Sequence, residues 1–152
     1  MIVYRLNKYK YKNDLSGKGA EIAGGRWNSK GNALLYTCAS RALCVAEVAV
    51  HLPLGIIPKD YCLIEIAFPD RIIIQECKTS FLPGHWQRKP HVNATQKIGD
   101  QFLRKNLFLV MKVPSAVVQG DFNYLINPGH KDFSLVKIKS IEKFSFDERL
   151  FI

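Results

Sequence analysis

The chain lacks a Cys-x-x-Cys pair, a His-Glu-x-x-His helix and any Cys/His spacing that would close a zinc site. Its four cysteines, Cys38, Cys44, Cys62 and Cys77, are therefore expected as reduced thiols, three of them inside apolar runs where sulfur packs as a small hydrophobe. No metal is expected. No run of about 18 apolar residues occurs, and the start, MIVYRLNKYKYKN, has no basic segment leading into an apolar stretch. A soluble cytoplasmic protein without membrane association is the expectation. Repeats, low-complexity tracts and linkers are also absent, and 152 residues fit one domain, 1–152, with one core.

Acidic residues are scarce: 13 against 22 Lys and Arg, for a formal net charge of +9. That excess suits an anionic ligand, an acidic protein partner or nucleic acid, and equally a merely soluble surface. The basic residues are spread from Lys8 to Lys143 rather than gathered in a tail. In NKYKYKN, Tyr9 and Tyr11 alternate with Lys8, Lys10 and Lys12, the composition of a base-stacking, phosphate-neutralising segment and also of an exposed strand edge.

IVYRL and NALLYTC read as strands. Ser40 then caps a helix, RALCVAEVAVHL, whose apolar residues cover most of its circumference until Pro53 and Gly55 stop it, the pattern of a buried helix. YCLIEIAF and RIIIQE read as strands, and residues 78–92, with Pro83, Gly84 and Pro90, as a long loop. A one-faced helix, NATQKIGDQFLRKN, starts at a cap on Asn93. LFLVMKV, SAVV, YLI and FSLVKIKSI follow as strands. Strands outnumber helices and do not alternate with them, so the expected class is α+β, a mixed, split sheet around the apolar helix.

Two features point to a site. Glu47 is flanked by Ala46 and Val48 in the apolar helix, where a carboxylate is costly without a cation or donors. Arg26 lies in GGRWN behind two glycines that permit close backbone approach, and its planar fork suits a phosphate or a carboxylate, which makes it the candidate partner of Glu47. His51, one turn after Glu47, either lines the same site or is a core histidine, with the core reading favoured. Tyr36 ends an apolar strand with a flat ring and a hydroxyl. Ser115 has no nucleophile motif around it and reads as a hydroxyl that orients a charged group, while Asn123, Asn127 and His130 flank a turn.

YRL, GGRWN, LLYTC, ALCVAEVAVHL, a proline-flanked Trp86, IGDQFL, VPSAVV and NYLINPGHKDF occur in an order that resembles the RES-domain family, toxins of bacterial toxin-antitoxin modules. The resemblance spans almost the whole chain. It implies a fold similar to ADP-ribosyltransferases and consumption of NAD as substrate without a metal. It implies that Arg26 and Arg5 contact the dinucleotide, that Tyr36 stacks near the nicotinamide, that Glu47 is the essential carboxylate and that Ser115 supports the site, with Asn123 and His130 as further members. It also implies an Xre-type antitoxin that blocks the NAD pocket, with nucleic acid contacted only through that antitoxin; a homodimer is compatible with it. The chemistry agrees with one carboxylate, because nicotinamide leaves as a neutral ring from a cationic linkage and needs no acid to protonate it. Hydrolysis, transfer of ADP-ribose to an acceptor and phosphorolysis all fit these residues. A non-enzymatic basic module binding nucleic acid through NKYKYKN and the lysines after Asn127 is the competing class.

Overall fold

β-branched and aromatic runs bounded by Gly, Pro and Asn form seven strands in the computed structural model, which describes residues 1–152. In chain order the elements are β1 (Ile2–Lys8), α1 (Lys18–Ala23), β2 (Leu35–Cys38), α2 (Arg41–Ala49), β3 (Tyr61–Ala67), β4 (Ile74–Glu76), α3 (Asn93–Lys105), β5 (Val110–Pro114), β6 (Phe122–Ile126) and β7 (Lys137–Phe144). The strands form one mixed sheet in the order β4-β5-β6-β2-β1-β3-β7, parallel only between β4 and β5. The α+β class with a mixed sheet is therefore what the chain adopts. No helix is long and apolar enough to cross a membrane.

The sheet is nearly split at its centre. β1 pairs with β3 through seven residues, from Ile2↔Ala67 to Lys8↔Tyr61, but with β2 only at Tyr4↔Cys38. Side chains alternate between the faces of a strand, so the cores can be assigned to faces. Leu35 of β2 joins a core with Val3, Ile64, Val110 and Ile126 on one face, closed over by Phe68, Leu109 and Val136 from connecting segments. On the other face, Cys38 packs with Leu6, Leu63 and the α2 residues Leu43 and Cys44. Tyr36, two residues earlier and hence on that same face, packs against a core of Met111, Val113, Leu125, the α3 residue Phe102, Trp27 and Trp86. The two helices thus cover separate halves of one face and leave a cleft above β2.

That arrangement corrects several expectations. α2 ends at Ala49, not at Leu52, and only Leu43 and Cys44 are buried. Val45, Val48 and Ala49 are partly buried against the same core as Leu43 and Cys44, and Val48 with the half-exposed Val50 at the C-cap also lines the cleft. α3 begins at Asn93, but Val92 holds the cap position without a side-chain cap bond. SAVV is a bend rather than a strand, and RIIIQE pairs only over Ile74–Glu76. The six-residue α1 has no amphipathic signal because it is one turn and a half set between Gly17 and Gly24, both at φ 71.

α3 packs through Gly99 against the turn after α1, where a Cβ would collide with the carbonyl oxygen of Trp27. Gly99→Ala should therefore lower stability by at least ~2 kcal/mol, because backbone and not a pliable side chain fills the space. Gly19→Ala in α1, whose Cβ meets nothing within 4 Å, should be neutral or slightly stabilising. Urea unfolding of the two variants measures both, and equal midpoints would remove the close helix approach as a constraint.

Candidate active site

The turn after α1 is built around a buried amide. Asn28 is fully buried, and its Nδ2 donates to the carbonyls of Ala20, Ser29 and Asn32 at 2.8, 3.3 and 3.0 Å. Its Oδ1 accepts from the Tyr36 hydroxyl at 2.7 Å, whose oxygen accepts in turn from the Trp27 amide at 3.0 Å. Gly25 is required beside this network, since a Cβ there would lie 2.6 Å from the Tyr36 hydroxyl. α3 clamps the turn from outside. Gln96 Nε2 donates to the carbonyls of Gly25 and Asn28, and Asp100 accepts from the Ser29 amide and hydroxyl and from Asn32 Nδ2. Burial drives the Tyr36 pKa well above the ordinary phenol value. Tyr36 therefore stays protonated and offers the cleft a ring edge or face rather than a base.

Glu47 stands across the cleft on α2, a helix started by Ser40, whose hydroxyl accepts from the Leu43 amide at 3.1 Å. Its Oε1 accepts from Asn123 Nδ2 at 2.8 Å and from the Ser115 hydroxyl at 3.1 Å. The Ser115 oxygen accepts from the amides of Val117 and Val118 at 3.1 and 3.0 Å, so the bend over SAVV fixes the hydroxyl proton on the carboxylate. Ser115 orients a charged group, as read from the sequence. Glu47 Oε2 has no protein partner.

Arg26 is not the ion-pair partner of Glu47. Its Nη1 donates to the carbonyls of Trp86 and Arg88 at 2.5 and 3.3 Å, and its Nη2 to that of Gln87 at 3.1 Å. Three successive carbonyls of irregular backbone suit the planar fork better than one side chain across the cleft. Burial lowers the Arg26 pKa and the charge of Glu47 opposes this, so the two groups interact at range without touching. Arg5 donates from Nη1 to the Tyr36 carbonyl at 3.1 Å, bridging β1 and β2 beside their one paired position. Its Nε is buried without a partner, and burial lowers its pKa against the pull of Asp14.

Two recesses meet at Tyr36, Glu47, His51 and Asn123. One, of about 540 Å³, continues past Gly24, Gly25 and Arg26 to Gln87, Lys89 and His91. The other, of about 370 Å³, continues past Arg5, Thr37, Cys38 and Cys44 to Tyr61. Glu47 is the only acidic residue lining either. His51 is exposed and lines both, with Nδ1 2.6 Å from the Glu47 carbonyl, and so is not the core histidine expected. His130 does not reach the cleft. It is buried in the turn after β6, where Nδ1 accepts from the Asp132 amide and the ring borders a separate recess with Arg71 and Leu107. The structure thus brings Arg5, Arg26, Tyr36, Glu47, Ser115 and Asn123 together and leaves His130 out.

The sequence reading missed Gln96 and Asp100 as the frame of the arginine turn, and Lys89 and His91 as lining. Of these, only Gln96 and Asp100 carried a signal, polar residues on the helix beside a glycine that lets it come close. Chemically, the arrangement is a single carboxylate with one oxygen held by two donors and the other open, flanked by a shielded tyrosine and two arginines. Asn123 Oδ1 and Arg5 Nε remain as buried polar atoms without protein partners, the state of groups that a ligand satisfies.

Known proteins share this arrangement of chain. The RES domain profile matches residues 2–147. A protein of Sphingobium sp. (strain YBL2) named Prs ADP-ribosylating toxin is 37% identical over 139 residues, 90% of this chain and 86% of its own length. Proteins named Toxin Res from Photorhabdus laumondii and Pseudomonas putida are each 34% identical across 99% of this chain, and 97% and 100% of their own lengths. The toxin-antitoxin complex MbcT-MbcA of M. tuberculosis contains a chain of the same fold, with a TM-score of 0.74 at 19% identity over 99% of this chain and 86% of that one. By this match over nearly its full length, the chain belongs to the RES-domain family.

Proposed function

We propose that this protein is the toxin of a toxin-antitoxin module and cleaves the bond between nicotinamide and ribose in NAD. One observation carries the reading: Glu47, anchored through one oxygen and open at the other, is the sole carboxylate at the junction of two recesses. Cleavage of an ordinary glycoside needs a second carboxyl group as acid for the departing oxygen. In NAD the ring nitrogen is already cationic, so the bonding electrons move onto it and nicotinamide leaves neutral without a proton. Glu47 then has one task, to stabilise the positive charge that develops on the ribose and to hold its hydroxyl or the incoming water. Ser115 and Asn123 hold the carboxylate in one rotamer through its Oε1, and Tyr36 bounds the ring pocket. Water adds to the ribose carbon and loses its proton to Glu47 or solvent, giving free ADP-ribose.

The Sphingobium relative carries ADP-ribosylation in its name, which supports chemistry on NAD and keeps transfer to an acceptor as the second reading. The same carboxylate serves either outcome, because the oxocarbenium-like species is common to water, an acceptor side chain and phosphate. Enzymatic loss of NAD stops growth of the host, so an inhibitory antitoxin is required; the Xre type and occlusion of the cleft are our reading of that partner. The fold neighbour was solved as a toxin-antitoxin complex. A cytoplasmic location follows from the substrate.

Incubation of the purified protein with NAD labelled in the adenylate should release nicotinamide and labelled ADP-ribose, separated by chromatography. Glu47→Gln should lower turnover by about 10³-fold with the fold retained, since it removes charge and not shape. Nicotinamide release with label on a macromolecule indicates transfer, and a product that appears only with inorganic phosphate indicates phosphorolysis. Turnover unchanged in Glu47→Gln removes the carboxylate from the mechanism. Ser115→Ala deletes one of two donors on Oε1 and should lower kcat about tenfold with little change in KM. An unaltered kcat would mean that Asn123 alone suffices to hold Glu47.

A further inference from the structure

The segment 85–91 is an irregular strap that lines the larger of the two recesses. Its only internal backbone bonds near this point run from the Trp86 amide to Pro83 and from the Arg88 amide to His85. It is fastened at two points. The Trp86 indole is buried against Trp27, with ring centroids 6.0 Å apart at 49°. The carbonyls of Trp86, Gln87 and Arg88 all accept from the Arg26 guanidinium. Carbonyls outside helix and sheet need donors, and a single fork here supplies all three. Three of the five N–H groups of Arg26 are thereby committed, which leaves Nε–H and one Nη2–H for any ligand.

The strap turns Gln87, Lys89 and His91 toward the recess. Lys89 makes no ion pair or hydrogen bond, and His91 Nδ1 is buried with no partner. Burial, then Arg26, Lys89 and His51, holds the His91 pKa below its ordinary value, so the ring is a neutral donor or acceptor near pH 7. Glu47 lines the same recess and is one of the residues it shares with the smaller one. An anionic group in this recess is repelled from Glu47 and drawn toward Arg26 and Lys89, with the neutral His91 ring beside them as a hydrogen-bond donor. A dinucleotide with its ribose on Glu47 carries its diphosphate a few bonds away.

We propose that Arg26 latches the strap, and that Lys89 and His91, presented by the latched strap, contact the diphosphate of the substrate. This rests on the NAD reading above. It separates two roles within the cationic wall: Arg26 chiefly positions, and Lys89 supplies an uncommitted charge.

Calorimetric titration with ADP-ribose tests the contacts. Lys89→Ala and His91→Ala should each weaken binding, Lys89→Ala by about tenfold, and should raise KM for NAD while leaving kcat nearly unchanged. Trypsin cleavage after Arg88, in the absence of ligand, tests the latch. Arg26→Gln and Arg26→Lys should both accelerate it more than tenfold, because lysine keeps the charge and lacks the fork. Hydrogen exchange in the same variants should rise in the strap and not in β5 or β6, which distinguishes release of the strap from global unfolding. Unchanged ADP-ribose affinity in both strap variants, with wild-type binding intact, overturns the contacts, and unchanged cleavage after Arg88 overturns the latch. Failure of the wild type to bind ADP-ribose or NAD would sink the NAD reading instead, while the proteolysis still decides whether Arg26 fastens the strap.

Discussion

The hydrogen bond between the Tyr36 hydroxyl and Asn28 Oδ1 is the contact on which the cleft depends. It ties a strand of the sheet to a turn that has no sheet pairing beyond the isolated bridge of Gly25 with Asn28. Each group at this junction is engaged a second time: the Tyr36 hydroxyl also accepts from the Trp27 amide, and Asn28 Nδ2 donates to three carbonyls. A buried network of this kind is stable when complete and costly when one member is lost, because the remaining groups lie away from water. The same contact fixes the Tyr36 ring as one wall of the recess and fixes where Arg26 leaves the turn. Site geometry and turn stability are therefore one property of the chain.

A second constraint comes from the split between β1 and β2. A fully paired sheet would present a continuous floor, whereas here the main-chain ladder stops at Tyr4↔Cys38 and a side chain, Arg5, takes up the Tyr36 carbonyl. A guanidinium in that position costs desolvation, which its lowered pKa expresses, and it leaves an Nε without a partner. The cost is explicable if the gap serves as the second recess, into which a ligand brings the missing acceptor. On the other side of the same floor, Asn123 has a comparable surplus, donating to Glu47 while its Oδ1 stays unmatched. Three of the four buried polar atoms without partners, on Arg5, His91 and Asn123, belong to residues that line the cleft, and the fourth, Ser140 Oγ, is on β7.

The legible part of the sequence was the part governed by local physics. Alternating apolar runs located β1, β2, β3 and β5, and Ser40 located the start of α2 through a cap that the structure contains. Glu47 stood out because no local neighbour answers its charge, and the arginine turn because its glycines announce a close approach. What could not be read was pairing across distance. Glu47 is 68 and 76 residues from the groups that hold it, Ser115 and Asn123, and Arg26 about 60 from the carbonyls that occupy it. Charge complementarity made Arg26 the natural partner of Glu47, yet consecutive backbone acceptors won, since their number and geometry match the guanidinium. His130 was drawn in by its place in a motif, and the turn that holds it folds to the other side of β6. The apolar circumference of α2 suggested full burial because sequence cannot distinguish a wall of packed core from a wall of a cleft.

The distribution of charge bears on the competing reading as a basic module. Folding does gather its two segments, since Lys8, Tyr9, Lys10 and Lys143 line one recess with Asp60 and Tyr61, a recess that does not include Glu47. The aromatic faces there are already taken. Lys12 lies 4.2 Å and Lys143 5.6 Å from the Tyr9 ring centre, Lys10 covers Tyr11 at 4.8 Å and Lys8 covers Tyr61 at 4.8 Å. A base stacking on the covered face of one of these rings would displace an ammonium and give up a cation–π contact worth roughly 0.5–1 kcal/mol at an exposed site. The cleft presents the opposite economy of contacts: its Glu47 Oε2, Arg5 Nε and Asn123 Oδ1 are polar atoms without partners. A ligand entering the basic recess replaces interactions the protein already makes, and one entering the cleft completes interactions that it lacks.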